Sequence, residues 1–370
     1  MNLPLWTRHL TALMTLFALI LTSEGCSSFG QAPSHEKRKA FTKSSQYDKE
    51  KSQFINRKAG IIAQDRDKAF NFSTIWEWLI GIENAKPTKK LPEVKVNLKS
   101  FFSSNQGVQF IWLGHSSLLM NFAGVKLLID PVFSGSASPF SFMVQRFQEP
   151  IVRLKELPKI DFVVISHDHY DHLDQKTIEY FRETETVFIT PLGVGSHLTY
   201  WGVKPEQIIE RDWFESYSSS GIDFVATPSQ HFSGRSLSDE NKTLWASWVI
   251  KSKDHAVYFS GDSGYDTHFQ EIGTKLGPFD IAFIENGQYD KRWPAAHLFP
   301  EEAAQVYLEL RAKRIFPIHW GMFELAMHPW NEPPTRLTSA LSSPSALVVP
   351  KLGFQYSLDN LPDLEYWWIR

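Results

Sequence analysis

Cysteine is nearly absent. Cys26 is the only one in 370 residues, so an internal disulfide cannot form and a thiolate metal site is excluded. An excess of one charge is missing too. Lys and Arg number 38 against 41 Asp and Glu, a formal net charge of −3, which gives no global basic field of the kind that bulk nucleic-acid binding needs. No comfortable membrane span is visible: the apolar stretch Leu10–Leu21 has twelve residues, where a span needs about 20. No Gly-x-Ser-x-Gly elbow occurs, and no repeat of 20–50 residues stands out. What the chain does have is apolar mass. A hydrophobic fraction of 42% with 14% aromatics is ample for a folded core.

Composition shifts divide the chain. Residues 1–25 read as a targeting leader, with Arg8 ahead of the apolar stretch. Ser23-Glu24-Gly25-Cys26-Ser27-Ser28 resembles a bacterial lipoprotein cleavage site. It makes Cys26 a lipidation site and the cell envelope, at its periplasmic or extracellular face, the expected location; an ordinary or uncleaved signal is the alternative. Residues 26–58 are expected to be a flexible basic tether. From His35 to Lys58 eight Lys/Arg stand against three Asp/Glu, a composition that could also lie on anionic headgroups. Residues 59–106 form an N-terminal extension expected to pack on the core, with Ser73 or Thr74 capping a short helix near Ile75. The main domain spans 107–370.

Within it, apolar runs predict strands at Val108–Phe122 (two, around Gly114-His115), Val125–Ile129, Ile160–Ile165, Val187–Thr190, Ile222–Thr227, Leu244–Lys251, Ala256–Ser260, Ile281–Ile284 and Arg314–Pro317. Helical character falls at Gln175–Arg182, Gly193–Tyr200 and Pro300–Leu310. Residues 133–150 make a long loop carrying Phe133, Phe140, Phe142, Met143 and Phe147. Two mixed sheets packed together with helices outside account for this order.

The densest signal is Ser166-His167-Asp168-His169-Tyr170-Asp171-His172-Leu173-Asp174. Three imidazoles and a carboxylate in the pattern His-x-His-x-Asp-His open the turn after a buried strand, and they are the ligand types of Zn²⁺ or a similar divalent ion. One strand-end loop points His167 and His169 one way and Asp171 and His172 another, so the spacing favours a two-metal centre completed from later in the chain. Apolar strands also end in a ligand-type residue at Asp130, His231, Asp262 and His319. A lone strand-end histidine is more often an ordinary polar cap. Five such endings together reverse that reading, because strand ends at one rim of a sandwich gather into one pocket.

These residues, with Trp112-Leu113-Gly114-His115-Ser116-Ser117, Pro228-Ser229-Gln230-His231, Tyr258-Phe259-Ser260-Gly261-Asp262, His297-Leu298-Phe299-Pro300-Glu301-Glu302 and Ile318-His319-Trp320-Gly321, resemble the metallo-β-lactamase superfamily over roughly residues 107–350. Within it the resemblance is to the N-acyl-phosphatidylethanolamine phospholipase D-like branch, near the UlaG-type lactonases. It implies an α+β fold, a four-layer αββα sandwich, here with an N-terminal leader and extension. It implies two divalent ions, Zn²⁺ first and Mn²⁺ or Fe²⁺ also compatible. His167, His169 and His231 would hold one and Asp171, His172 and His319 the other, with Asp262 bridging. Asp130 would fix the histidine loop without being a ligand, and His115 would pack or hydrogen-bond at the pocket floor. Asp171 and Asp262 would take part in catalysis, and His297 would stand near the substrate. The implied activity is phosphodiester hydrolysis of phospholipase D type on a phospholipid or smaller phosphodiester, at a membrane reached through the leader. A lactonase on the same site is the alternative. A non-catalytic metal-binding protein would have been marked by a lost ligand, and all seven are present. The chain departs from the branch at Glu285 and Lys291. Ile284–Trp293 and the segment of Pro150 and Arg153 are expected to line the substrate channel.

Overall fold

The computed structural model describes residues 27–69, 76–77, 80–349, 351–360 and 364–369. The leader, Cys26 and most of the helix expected near Ile75 lie outside the described residues. Helix α1 (His35–Phe41), strands β1 (Tyr47–Asp48) and β2 (Gln53–Phe54), helix α2 (Ile61–Ala69) and the single turn α3 (Leu98–Phe101) precede the sheets. The first sheet is built from β3 (Val108–Gly114), β4 (Ser117–Phe122), β5 (Val125–Ile129), β6 (Phe162–Val164), β7 (Val187–Pro191) and β8 (Ile208–Arg211). Helix α4 (Gln175–Phe181) connects β6 to β7, and α5 (Gly195–Tyr200) connects β7 to β8. The second sheet comprises β9 (Ser216–Ser219), β10 (Ile222–Thr227), β11 (Ser247–Lys251), β12 (Ala256–Phe259), β13 (Ile281–Glu285) and β14 (Ile315–Ile318) in that spatial order. Helix α6 (His268–Leu276) links β12 to β13, α7 (Pro300–Glu309) links β13 to β14, and α8 (Glu332–Ala340) follows. Strand β15 (Gln355–Ser357) then returns to pair with β3 at the edge of the first sheet.

Each sheet begins as an antiparallel meander and ends in parallel strands joined by helical crossovers. Side chains alternate between faces along a strand, and here both faces are covered. Phe110, Trp112, Leu118 and Met120 enter the core between the sheets, where Phe224, Trp248, Phe283 and Phe316 meet them. Ile111, Leu113, Leu119 and Leu128 turn outward against Ile178, Phe181 and Leu198 of α4 and α5. Strands buried on both faces read as unbroken apolar runs, which is why they were legible. The αββα order is therefore the one the chain adopts. The cross-sheet core also joins the site to the scaffold: the Trp112 indole stacks on Trp320 at 5.4 Å and donates Nε1–H to the His115 carbonyl at 2.7 Å.

Three expectations change. Residues 27–58 are not a free tether in the structure. Phe41, Tyr47 and Phe54 are buried and in mutual ring contact at 5.1–5.8 Å, and the Phe54 amide donates to Asn241 O. Four aromatics spread among many lysines were enough to bind the segment to the core, Phe29 being the fourth. The strand expected from Leu244 starts only at Ser247, because Leu244 and Ala246 donate their amides across to Leu192 O and Ser166 O of the first sheet's loops. Strands β8 and β9 were not foreseen, since their residues are half exposed and carry no apolar run.

Replacing the fully buried Trp112 by Ala is expected to cost about 3–5 kcal/mol of stability, read as a lower urea midpoint at unchanged slope.

Candidate metal centre

Parallel strands leave their carboxyl ends on one rim, where open α/β sheets hold their ligands. Asp130 follows β5, residues 166–172 follow β6, His231 follows β10, Asp262 follows β12, Glu285 ends β13 and His319 follows β14. His115 joins them from the β3–β4 turn. Three of these residues are held in the left-handed backbone region, His115 at φ 52°, Asp130 at 41° and His319 at 68°, a strain that persists where the surroundings over-determine it.

The histidine loop is fixed from behind. Asp130 accepts the Ser166 amide at 2.7 Å, the Ser166 hydroxyl at 2.5 Å and a bond from His172 Nδ1 at 2.7 Å. That leaves His172 Nε2 facing the pocket. Asp168 turns away from the pocket, accepting from the Gly234 amide and the Thr243 hydroxyl and facing His197 Nε2 at 3.3 Å. Asp174 holds the long loop, taking the Phe133 and Ser134 amides and the Ser134 hydroxyl.

Two groups of donor atoms result. In one, His169 Nδ1 stands 2.9 Å from His167 Nε2 and 3.2 Å from His231 Nε2, while His231 Nδ1 donates to Ala296 O. In the other, Asp171 Oδ2 stands 2.8 Å from His115 Nε2, 3.2 Å from His319 Nε2 and 3.4 Å from His172 Nε2. Asp262 lies between them. Its Oδ2 is 3.7 and 3.8 Å from His231 and His167 and 3.1 Å from His319, and its Oδ1 is 3.1 Å from His172. The seven residues expected as ligands thus share one buried pocket, with His115 beside Asp171 and Asp130 behind His172.

The donor set fits cations on three counts. Burial holds the His167 and His231 imidazoles well below their ordinary pKa, so their lone pairs are free. Burial also opposes charge on His172 and His319, yet Asp262 facing both, with Asp171, holds their pKa well above the ordinary value: the carboxylates demand positive charge at this point. Finally, His172 Nε2 and Asp262 Oδ1 are buried and face one another at 3.1 Å as an ion pair without the geometry of a hydrogen bond, an arrangement that a cation between them would satisfy better.

Sequence reasoning set Glu285 in the stretch expected to line the channel but gave it no place among the ligand-type residues. It accepts from the Ser263 amide and faces His297 Nδ1 at 2.9 Å and His319 Nδ1 at 3.6 Å, so it meets Asp262, His297 and His319 in a third donor cluster. The signal was available: β13 ends in an acid as other strands do. Gly287 makes this approach feasible, since a Cβ there would lie 2.2 Å from His319 O. Asn56 was also missed. Its side chain pairs with both the carbonyl and the amide of His231, at 2.7 and 3.0 Å. Of the stretches expected to line the channel, Tyr289 and Arg292 line a cavity of about 470 Å³ with Phe299, His328 and Arg336. Arg153 does not join it; it is exposed and pairs with Glu156. Arg146 reaches inward instead, over the Phe323 ring that abuts His115.

Comparison with known proteins gives three findings. A family model described as "Beta-lactamase superfamily domain" matches residues 126–320. An uncharacterised protein of Mycobacterium tuberculosis is 40% identical over 300 residues, 80% of each chain, and N-acyl-phosphatidylethanolamine-hydrolyzing phospholipase D 1 of Caenorhabditis elegans is 37% identical over 237 residues, 60% of this chain and 67% of that one. Among solved structures, a metallo hydrolase from Ignicoccus hospitalis superposes with a TM-score of 0.53 at 23% identity, over 68% of this chain and 98% of that one, a likeness of fold.

Asp130→Asn keeps an acceptor and a residue tolerant of positive φ but removes the carboxylate behind His172. Metal affinity is expected to drop about 10- to 100-fold with little loss of stability, measured by chelator competition and metal analysis.

Proposed function

The chain belongs to the beta-lactamase superfamily, and from that premise we propose that this metal-dependent hydrolase is a phosphodiesterase of phospholipase D type acting on N-acyl-phosphatidylethanolamine-like lipids. The observation that carries the chemistry is Asp262 placed between two donor groups, within 3.1–3.8 Å of His167, His172, His231 and His319. The similarity to the nematode enzyme supports the substrate class.

His167, His169 and His231 would hold one divalent ion and Asp171, His172 and His319 the other, Asp262 serving both. When bound, such ions supply Lewis acidity, a water that ionises near neutral pH and charge stabilisation at phosphorus. The chain's own residues do the rest. Asp130 and the Ala296 carbonyl set the tautomers of His172 and His231 through their Nδ1 atoms, which directs each Nε2 to the pocket. His115 fixes the Asp171 carboxylate, and Asp171 orients the attacking water. Oxygen of that water bonds to phosphorus, the bond from phosphorus to the ethanolamine oxygen breaks, and the leaving oxygen takes up a proton. Glu285 holds His297 through Nδ1, leaving Nε2, unpartnered among the described residues, to hold that proton. The products are phosphatidic acid and an N-acylethanolamine.

Purified protein of measured metal content, offered N-acyl-phosphatidylethanolamine in detergent micelles, is expected to release both products by mass spectrometry, with Asp262→Ala as the blank. His297→Gln is expected to keep its metals and lose about 100-fold in kcat. Two bound metals with no lipid turnover, and consumption of lactones instead, would overturn the substrate and leave the hydrolase.

A further inference from the structure

His231 stands past the last ladder pair of β10, Thr227 with Ser247, so the sheet does not satisfy its peptide groups. Asn56 does. Its Nδ2 donates to His231 O at 2.7 Å and its Oδ1 accepts the His231 amide at 3.0 Å, and among the described residues nothing else is hydrogen-bonded to either group. Asn56 is itself buried and bracketed. Two residues before it, the Phe54 amide donates to Asn241 O. Directly after it, Arg57 and Lys58 pair with Glu271 and Asp266 at 2.9 and 2.8 Å. A second contact comes from the same segment. Buried Asp65 of α2 accepts the Ala295 amide at 2.8 Å, and one residue on, Ala296 O accepts from His231 Nδ1 at 3.0 Å. Main chain and ring of one ligand-type histidine are thus both secured from residues 56–65.

The other ligand-type residues are held by the sheets and their own loops. His172 is bonded to Asp130 and Asp171 to His115. The His319 amide donates to His115 O, and its Nδ1 faces Gly287 O at 3.3 Å. His167 Nδ1 faces the Ser166 hydroxyl, and the His169 carbonyl accepts the His172 and Leu173 amides. None of these partners belongs to residues 27–69. Ser28 meets the Arg235 guanidinium, but Arg235 reaches Asp168 O and Leu173 O of the histidine loop directly. Asp262 leans the same way, 3.1 Å from His172 and His319 against 3.7 and 3.8 Å from His231 and His167. Asp171, His172, His319 and Asp262 are therefore in place without the N-terminal segment, whereas the group of His167, His169 and His231 is not.

We propose that Asn56 and Asp65 are positioning residues for one ion only. They act through His231 on the ion held by His167, His169 and His231, and leave the ion of Asp171, His172 and His319 untouched. The N-terminal segment is then the part of the chain that separates a two-ion centre from a one-ion centre. The physical basis is directional: an imidazole lone pair points at an ion only when the main chain and the ring tilt are both fixed. Asn56 fixes the first, and Asp65 fixes the second through the 295–296 peptide. The inference rests on the reading of two ions and not on the lipid substrate.

The test uses full-length protein loaded with Zn²⁺ and dialysed against graded chelator, with metal per chain read by elemental analysis. The parent is expected to hold two ions. Asn56→Ala and Asp65→Ala are each expected to release one ion per chain at about 10- to 100-fold lower chelator concentration, and the second where the parent does. Pairing with a ligand change assigns the ion. Asn56→Ala is expected to weaken the ion that remains in His319→Ala and to leave unchanged the ion that remains in His169→Ala. Where circular dichroism shows Asn56→Ala unfolded, Asp65→Ala decides. Release of both ions together, no shift in either, or a shift of the ion left in His169→Ala would overturn the inference, with the parent's two ions still standing. A parent that holds one ion overturns the two-ion reading itself.

Discussion

Asp262 is a carboxylate removed from water and faced by imidazoles from both sheets. Taking an ionised carboxylate into an interior costs several kcal/mol unless it is paired, and here the pairing comes from His172 and His319 at 3.1 Å, with His167 and His231 just beyond. The six imidazoles of the pocket, His115 included, cannot all satisfy one another. Among them His115 Nδ1 and His172 Nε2 are buried without a hydrogen bond. The arrangement is reasonable only as a receptor for positive charge, and the strand ends, turns and tautomers around it serve that requirement.

Holding such a cluster requires a scaffold that does not relax. Two sheets buried on both faces supply it, and their carboxyl ends deliver one or two side chains each. The strained backbone at His115, Asp130 and His319 is fixed by neighbours: the His319 amide donates to His115 O, Trp112 caps the same carbonyl, and the Asp130 amide donates to Val164 O. Glu285 lies opposite Ile318 in the parallel β13–β14 ladder, so the register alone puts it beside His319.

The N-terminal segment belongs to the same system. Asn56 secures His231 and Ser28 meets Arg235 behind the histidine loop. A stretch with the composition of a linker contributes to the position of ligand-type residues on both sheets. Composition averages over residues, whereas a few aromatics at suitable intervals and one amide side chain decide whether a segment packs. Among the described residues no helix is long and apolar enough to cross a membrane.

From residue types and order alone came the ligand-type residues, the absence of thiolate chemistry and most strands, because local spacing sets which groups leave one turn together and because strands covered on both faces are apolar throughout. The αββα layering followed from the order of those runs and from family resemblance. Tertiary structure decided the rest. That Asp171 of the histidine loop faces the pocket and Asp168 does not depends on Asp168's partners 29 to 75 residues away. That Glu285 stands under His297, that Arg146 points inward where Arg153 was expected, and that residues 27–58 lie on the core are matters of register and long-range contact. A local pattern cannot carry them, because the free energy that selects them comes from groups brought together only when both sheets close.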